Sequence, residues 1–190
     1  MKNKKVIPGY LGGKREEVDS FLTTIKKFFK KIFTTIFLIV ALITITITNN
    51  SHADEYDNQL DCLAEAIYFE ARGEYFAGML AVATVIMNRV SHQDFPNHIC
   101  AVVHEGKYWE GNPIKNQCQF SYYCDGKSEN LDNPYAADLA YQVAEFTLDG
   151  ARLKHLEDAL YYHANYVNPN WPYKKIMVIG RHIFYGEDDG

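Results

Sequence analysis

The sequence predicts an α+β fold for residues 54–190, a helical core followed by a small antiparallel sheet. Three observations carry this. Apolar residues recur at helical spacing through 58–72 and again through 76–91. A third helical segment opens at Pro134 behind Asn133, a capping residue with proline at the first helical position. The tail then changes period: ALYYH at 159–163, and two β-rich runs flanking Gly180-Arg181, read as strands. Helices first and strands afterwards is the α+β order.

The chain has 190 residues, enough for one domain and a leader. Residues 1–31 are a basic region that contains KKFFKK, and an apolar run, Ile32–Thr48, follows. Ser51 and Ala53 then sit at the small-residue spacing of a signal peptidase site. Residues 32–53 are expected to be a signal peptide. Because the basic region is long and the run approaches spanning length, an uncleaved transmembrane anchor is the alternative. Lysines ahead of the run place the N-terminus inside and residues 54–190 outside, so the domain is expected to be exported, secreted or tethered.

Charge narrows the partners. Residues 1–53 hold nine Lys/Arg and three Asp/Glu; taken from totals of 19 and 24, that leaves 10 and 21, a net charge near −11 for residues 54–190. Such a surface argues against nucleic acid, whose phosphates need clustered Lys and Arg. All four cysteines, Cys62, Cys100, Cys118 and Cys124, follow the leader. An even count in an exported domain reads as two disulfides. Three pairings are open. The favoured one joins Cys118 to Cys124, closing a short loop, and Cys62 to Cys100, tying the first helix to a later segment. Paired C-x-x-C spacing and an H-E-x-x-H run are both missing, so no metal and no cofactor are expected.

The first helix of the domain is expected from Asn58 to Arg72, capped by Asp57 or Asn58, with Leu60, Leu63, Ala64, Ile67 and Ala71 facing the core. Glu70 lies beside that stripe, and Gly73 stops the helix. The last helical turn carries partial negative charge, and burial also disfavours a carboxylate, so both hold a proton on Glu70. That makes Glu70 a candidate general acid, although the same glutamate spacing fits a solvated helix face. Arg72 either steers the Glu70 carboxylate or offsets the helix dipole. Helix 76–91 is more apolar and is expected to be central and buried. Phe95-Pro96-Asn97 breaks the chain before a short helix, His98–His104. Glu105–Asn133 reads as a long irregular stretch holding the Cys118–Cys124 loop, and long loops are often functional. The Pro134 helix runs to Leu148. Ile176–Ile179 and His182–Tyr185 read as a hairpin.

From Cys62 to Tyr185 the chain resembles the cell-wall hydrolases typified by the spore-cortex-lytic enzyme SleB. The matching stretches, in the family's order, are CLAEAIYFEARGE at 62–74, AVATVIMNRV at 81–90, FPNHICAVV at 95–103, CQFSYYCDG at 118–126 and GRHIFY at 180–185. The resemblance implies a lysozyme-like fold and cleavage of peptidoglycan glycan strands between N-acetylmuramic acid and N-acetylglucosamine. It also implies that the catalytic glutamate of the E-A-R-G-E run is Glu70, in a periplasmic or wall-facing enzyme.

Around that acid, Gln119 and Ser121 are candidate hydrogen-bonding partners for a sugar hydroxyl or N-acetyl group, with Phe120 packing beneath. Tyr162, His163 and Asn165, at the end of the first strand, complete the candidate substrate-binding set, and His182 is expected to be structural. Glycosidases usually pair two carboxylates. Glu65, Glu74, Glu105, Glu110 and Asp125 are candidates for the second, and none stands out. In lytic transglycosylases, which the family resembles, one glutamate protonates the leaving oxygen and then deprotonates the muramoyl 6-hydroxyl, leaving a 1,6-anhydro end; the weak second carboxylate leans that way. Two rival readings stand beside it: a peptidoglycan amidase or endopeptidase with a Cys–His pair, and a non-catalytic wall-binding module.

Overall fold

The computed structural model describes residues 12–188. The chain divides into two compact units, Met1–Ala53 and Asp54–Gly190, and the division falls inside helix α1 (Gly12–Ala71). The expected cap at Asp57 or Asn58 is not used. The reason is compositional: no glycine or proline occurs between Gly13 and Gly73 to interrupt a helix.

In the first unit, part of the basic region 1–31 lies outside the described residues. The run Ile32–Thr48 carries five threonines, and the Thr34 and Thr35 hydroxyls donate back to the Lys30 and Lys31 carbonyls at 2.8–3.0 Å. Among the described residues no helix is long and apolar enough to cross a membrane.

The second unit is built around α2 (Phe76–Ser91), whose residues from Gly78 to Ile86 are all buried. Leu63, Ala64, Ile67 and Ala71 of α1 pack on it, with Leu60 at the margin, and α4 (Pro134–Leu148) adds Ala140, Val143 and Ala144 to the same core. Asn133 caps α4, its Oδ1 accepting from the Ala136 amide at 3.0 Å, while its own amide donates to the buried Tyr68 hydroxyl. α3 is short (Ile99–Val103).

The stretch expected to be irregular contains a hairpin, β1 (Gly106–Trp109) with β2 (Asn112–Cys118), followed by a 3-10 turn at Ser121–Cys124. Trp109 pairs with Asn112, and the two residues between, Glu110 and Gly111, both have positive φ (50° and 81°). That is the turn that suits a two-residue hairpin. The sequence hides it because β1 is exposed throughout and lacks an alternating apolar face, and because a glutamate stands where Asn or Asp usually signals the turn.

The tail forms one antiparallel sheet in the order β3 (Tyr161–Ala164), β5 (His182–Gly186), β4 (Lys174–Ile179). Phe184 on the central strand is fully buried with Ala81 and Val85 of α2, so the sheet rests on the central helix.

Cys62 pairs with Cys100 and Cys118 with Cys124. Their sequence separations are 38 and 6 residues, so chain entropy assigns the first about 4 kcal/mol and the second about 2 kcal/mol. Replacing Cys62 and Cys100 by alanine is therefore expected to lower unfolding free energy more than the same change at Cys118 and Cys124. Denaturant titration of the two double variants checks the order.

Candidate active site

A cleft of about 710 Å³ opens between the end of α1, the Cys118–Cys124 loop and the sheet. Glu70 lines it from the last turn of α1, and Tyr162 reaches it from β3. The Tyr162 hydroxyl donates to Glu70 Oε2 at 3.2 Å. Burial raises the Glu70 pKa; the Tyr162 hydrogen bond and the nearby Arg89 charge pull against it without cancelling it. Tyr162 itself is held firmly as a phenol, first by burial and then by the Glu70 charge. The pair is thus a half-buried carboxyl whose pKa is raised by burial, beside a hydroxyl whose own pKa is raised well above the usual phenol value.

Arg89, on the buried face of α2, is the neighbour of Glu70 in the cleft that sequence reading passes over. It is 3% exposed. Its Nε donates to the Leu160 carbonyl at 2.8 Å, and its guanidinium lies 5.2–6.0 Å from the ring centres of Phe95, Phe120 and Tyr161. A signal existed: Val82, Val85, Ile86 and Arg89 share one helical face, and a cation on an apolar face needs a purpose.

Gln119 and Ser121 line the cleft from the loop, both exposed, and Phe120 is buried beneath Arg89. His163 also lines it. Its Nδ1 faces the Ala164 carbonyl and its Nε2 the Tyr185 hydroxyl, each at 2.9 Å; the carbonyl demands a proton on Nδ1, so in the neutral ring Nε2 accepts from Tyr185. Both nitrogens are thereby engaged within the sheet. Asn165 is exposed, and its backbone amide donates to the Arg181 carbonyl at 2.7 Å. It is the first residue past β3, between Ala164 and Tyr166, which both line the cleft. The sequence also understates the segment that follows, from which Tyr166 and Trp171 reach the cleft.

The second carboxylates sort cleanly. Glu74 has its side chain 4% exposed and accepts from Arg181 Nε at 2.9 Å and from the Arg181 amide at 3.2 Å. It braces the β4–β5 turn, where a Cβ at Gly180 would collide with it. Glu65 faces His104 at 3.7 Å, Glu105 lies outside the cleft lining, and Glu110 forms the β1–β2 turn. Only Asp125 shares the cleft with Glu70 among the described residues. Lys127 holds it ionised, through its side chain and then its backbone amide. Arg72 turns to the Tyr68 ring, 5.1 Å from its centre, as a helix-end cation. All four cysteines are in disulfides, so a Cys–His pair lacks its nucleophile.

The chain is similar to known proteins. The sequence profile of the Cell Wall Hydrolase family matches residues 73–185; Glu70 lies just before that segment. The chain is 33% identical to the spore cortex-lytic enzyme of Bacillus subtilis over 135 residues, covering 67% of this chain and 37% of that protein. It is 31% identical to the spore cortex-lytic enzyme of Bacillus cereus over 134 residues, 67% of this chain and 44% of the relative. It therefore spans less than half the length of these relatives. Among solved structures, the catalytic domain of the germination-specific lytic transglycosylase SleB from Bacillus anthracis superposes with a TM-score of 0.53 at 30% identity, over 67% of this chain and 93% of that domain. The fold is that lysozyme-like α+β class.

Because the Tyr162 hydrogen bond stabilises the ionised carboxylate, removing it works in one direction. Tyr162→Phe is expected to raise the Glu70 pKa further. Carboxyl carbon shifts followed by NMR across a pH series read this directly, and an unchanged or lowered midpoint would contradict the assignment.

Proposed function

The chain belongs to the cell wall hydrolase family, and we propose that it cuts peptidoglycan glycan strands with Glu70 as its one general acid and base. The observation that carries this reading is the half-buried Glu70 in the cleft, whose pKa burial raises. With Tyr162 on Oε2, the other oxygen, Oε1, delivers the proton to the glycosidic oxygen as the bond between N-acetylmuramic acid and N-acetylglucosamine breaks. Glu70 is then a carboxylate beside Arg89, whose charge favours that state. It accepts the proton of the muramoyl 6-hydroxyl as that oxygen closes on the anomeric carbon.

Asp125 is the one other carboxylate among the described lining residues, and Lys127 donates to each of its oxygens, which lowers its basicity. That favours the internal attack of a lytic transglycosylase over hydrolysis. Gln119, Phe120, Ser121, Tyr162 and His163 would form the walls that hold the strand. Export to the periplasm or the wall follows from the substrate and from the basic and apolar leader.

Glu70→Gln is expected to reduce release of muropeptides from purified peptidoglycan by about 100-fold or more, the scale of a lost general acid. Mass spectrometry of wild-type products should show 1,6-anhydro ends. Reducing ends would replace transglycosylase by hydrolase, and a Glu70→Gln protein as active as wild type would sink the proposal. Wild-type activity would dispose of the non-catalytic reading.

A further inference from the structure

Outside the cleft, a second pocket of about 540 Å³ is lined by His98, His104, Glu105, Tyr108 and Tyr123 among others. Its chemistry is one-sided. Glu105 Oε2 is buried without a hydrogen-bonding partner. So is Glu65 Oε1, which faces His104 Nε2 at 3.7 Å, beyond hydrogen-bonding reach. An ionised carboxylate only accepts, so what these oxygens lack is a donor. Among the described residues that line the pocket there is no lysine or arginine. Its two histidines already face carboxylates, His98 Nε2 meeting Glu55 Oε1 at 2.5 Å and His104 meeting Glu65. Arg89 acts on Glu105 through its charge, yet it gives Oε2 no hydrogen bond. Aromatic rings complete the wall. His104 stacks on Tyr123 with ring centres 4.0 Å apart, and the Tyr108 hydroxyl donates to the His104 carbonyl at 2.6 Å. A carboxylate without a donor, beside phenol rings, suits a cation that also donates, which is an ammonium.

The pocket backs onto the cleft. Of the 3-10 turn Ser121–Cys124, Ser121 and Tyr122 line the cleft and Tyr123 lines this pocket. The Gln119 amide, from the cleft loop, donates to the Glu105 carbonyl at 2.8 Å. We propose that the pocket is a second binding site, which takes the side-chain ammonium of the diamino acid in a wall stem peptide, with Glu105 as its counter-charge. The proposal rests on the reading that the cleft holds a glycan strand, since a stem peptide departs from such a strand. Three extended residues reach about 10 Å, and a helical turn with its side chains is about 10–12 Å wide. A peptide leaving the cleft can therefore cross the turn and present its amine to Glu105.

An NMR titration of the full chain tests this. The probe is a sugar-free stem tripeptide ending in lysine, acetylated at its N-terminus so that the side chain carries its one ammonium. The control is the same peptide with that amine acetylated too. The free-amine peptide should shift the His104, Tyr108 and Tyr123 ring signals. It should bind about 10- to 100-fold more tightly than the control, the range of a hydrogen bond to a charged group. Glu105→Gln removes the charge at nearly constant shape, and the ratio should fall to near one. No binding of the free-amine peptide, equal binding of the two peptides, or shifts confined to the cleft residues Tyr162 and Trp171 overturns the proposal. So does a Glu105→Gln protein with the wild-type ratio. The peptide comparison on wild type decides even if the variant does not fold. Neither peptide carries a sugar, so a failure here is separable from a failure of the lytic reading, which the Glu70→Gln assay decides.

Discussion

A guanidinium buried in the apolar face of a central helix must find partners or cost several kcal/mol, and the cleft is made of the partners Arg89 finds. The Leu160 carbonyl, just ahead of β3, takes its Nε. The loop closed by Cys118–Cys124 brings Gln119 to its fork and Phe120 beneath it. Phe95 and Tyr161 add ring faces from two other segments. One side chain of α2 thereby fixes the sheet, the loop and the charge beside Glu70 relative to one another within the second unit. Removing its charge would leave oriented acceptors with nothing to accept from, which is the costlier half of a broken buried pair.

The division of labour among the acidic residues follows the same logic. Glu74, only four residues beyond Glu70, is almost fully covered, yet it answers to Arg181 and to the backbone of the β4–β5 turn. It is neutralised as a structural brace. Glu70 has a single hydroxyl donor and a guanidinium at longer range. Burial therefore dominates at Glu70 and raises its pKa. Environment, not residue type, separates the ion-paired Glu74 from Glu70, whose pKa is raised.

Much of this is legible in the sequence, for particular reasons. Helix 76–91 and the Asn133–Pro134 start are strong local signals, one apolar on nearly every face and the other a cap bonded as expected. The Gly180-Arg181 turn marks the tail hairpin. The exposed hairpin at 106–118 escapes because its strands bury too little to impose alternation. Glu70 is legible because its helix end and apolar neighbours are local. Arg89 and the Tyr166–Trp171 wall are not, because their meaning lies in contacts across the fold. Glu70 to Tyr162 spans 92 positions, and Arg89 to Leu160 spans 71; no sequence period reports such pairs.

The raised Glu70 pKa also has a thermodynamic sign that ties function to stability. The folded chain binds the Glu70 proton more tightly than the unfolded chain, whose glutamates ionise near about pH 4.3. Over the interval from that value up to the raised one, the native state holds more protons, so stability from this group falls as pH rises. It is undiminished below the unfolded pKa and fully reduced above the folded one. A carboxyl whose pKa is raised by burial thus contributes less to stability as pH rises. Tyr162 and Arg89 moderate that penalty by favouring the carboxylate. In the proposed reaction the same two groups favour the carboxylate left once the proton has been given away. An acid that must also serve as base needs both halves: burial to hold the proton, and a hydroxyl and a guanidinium to receive the charge it leaves behind.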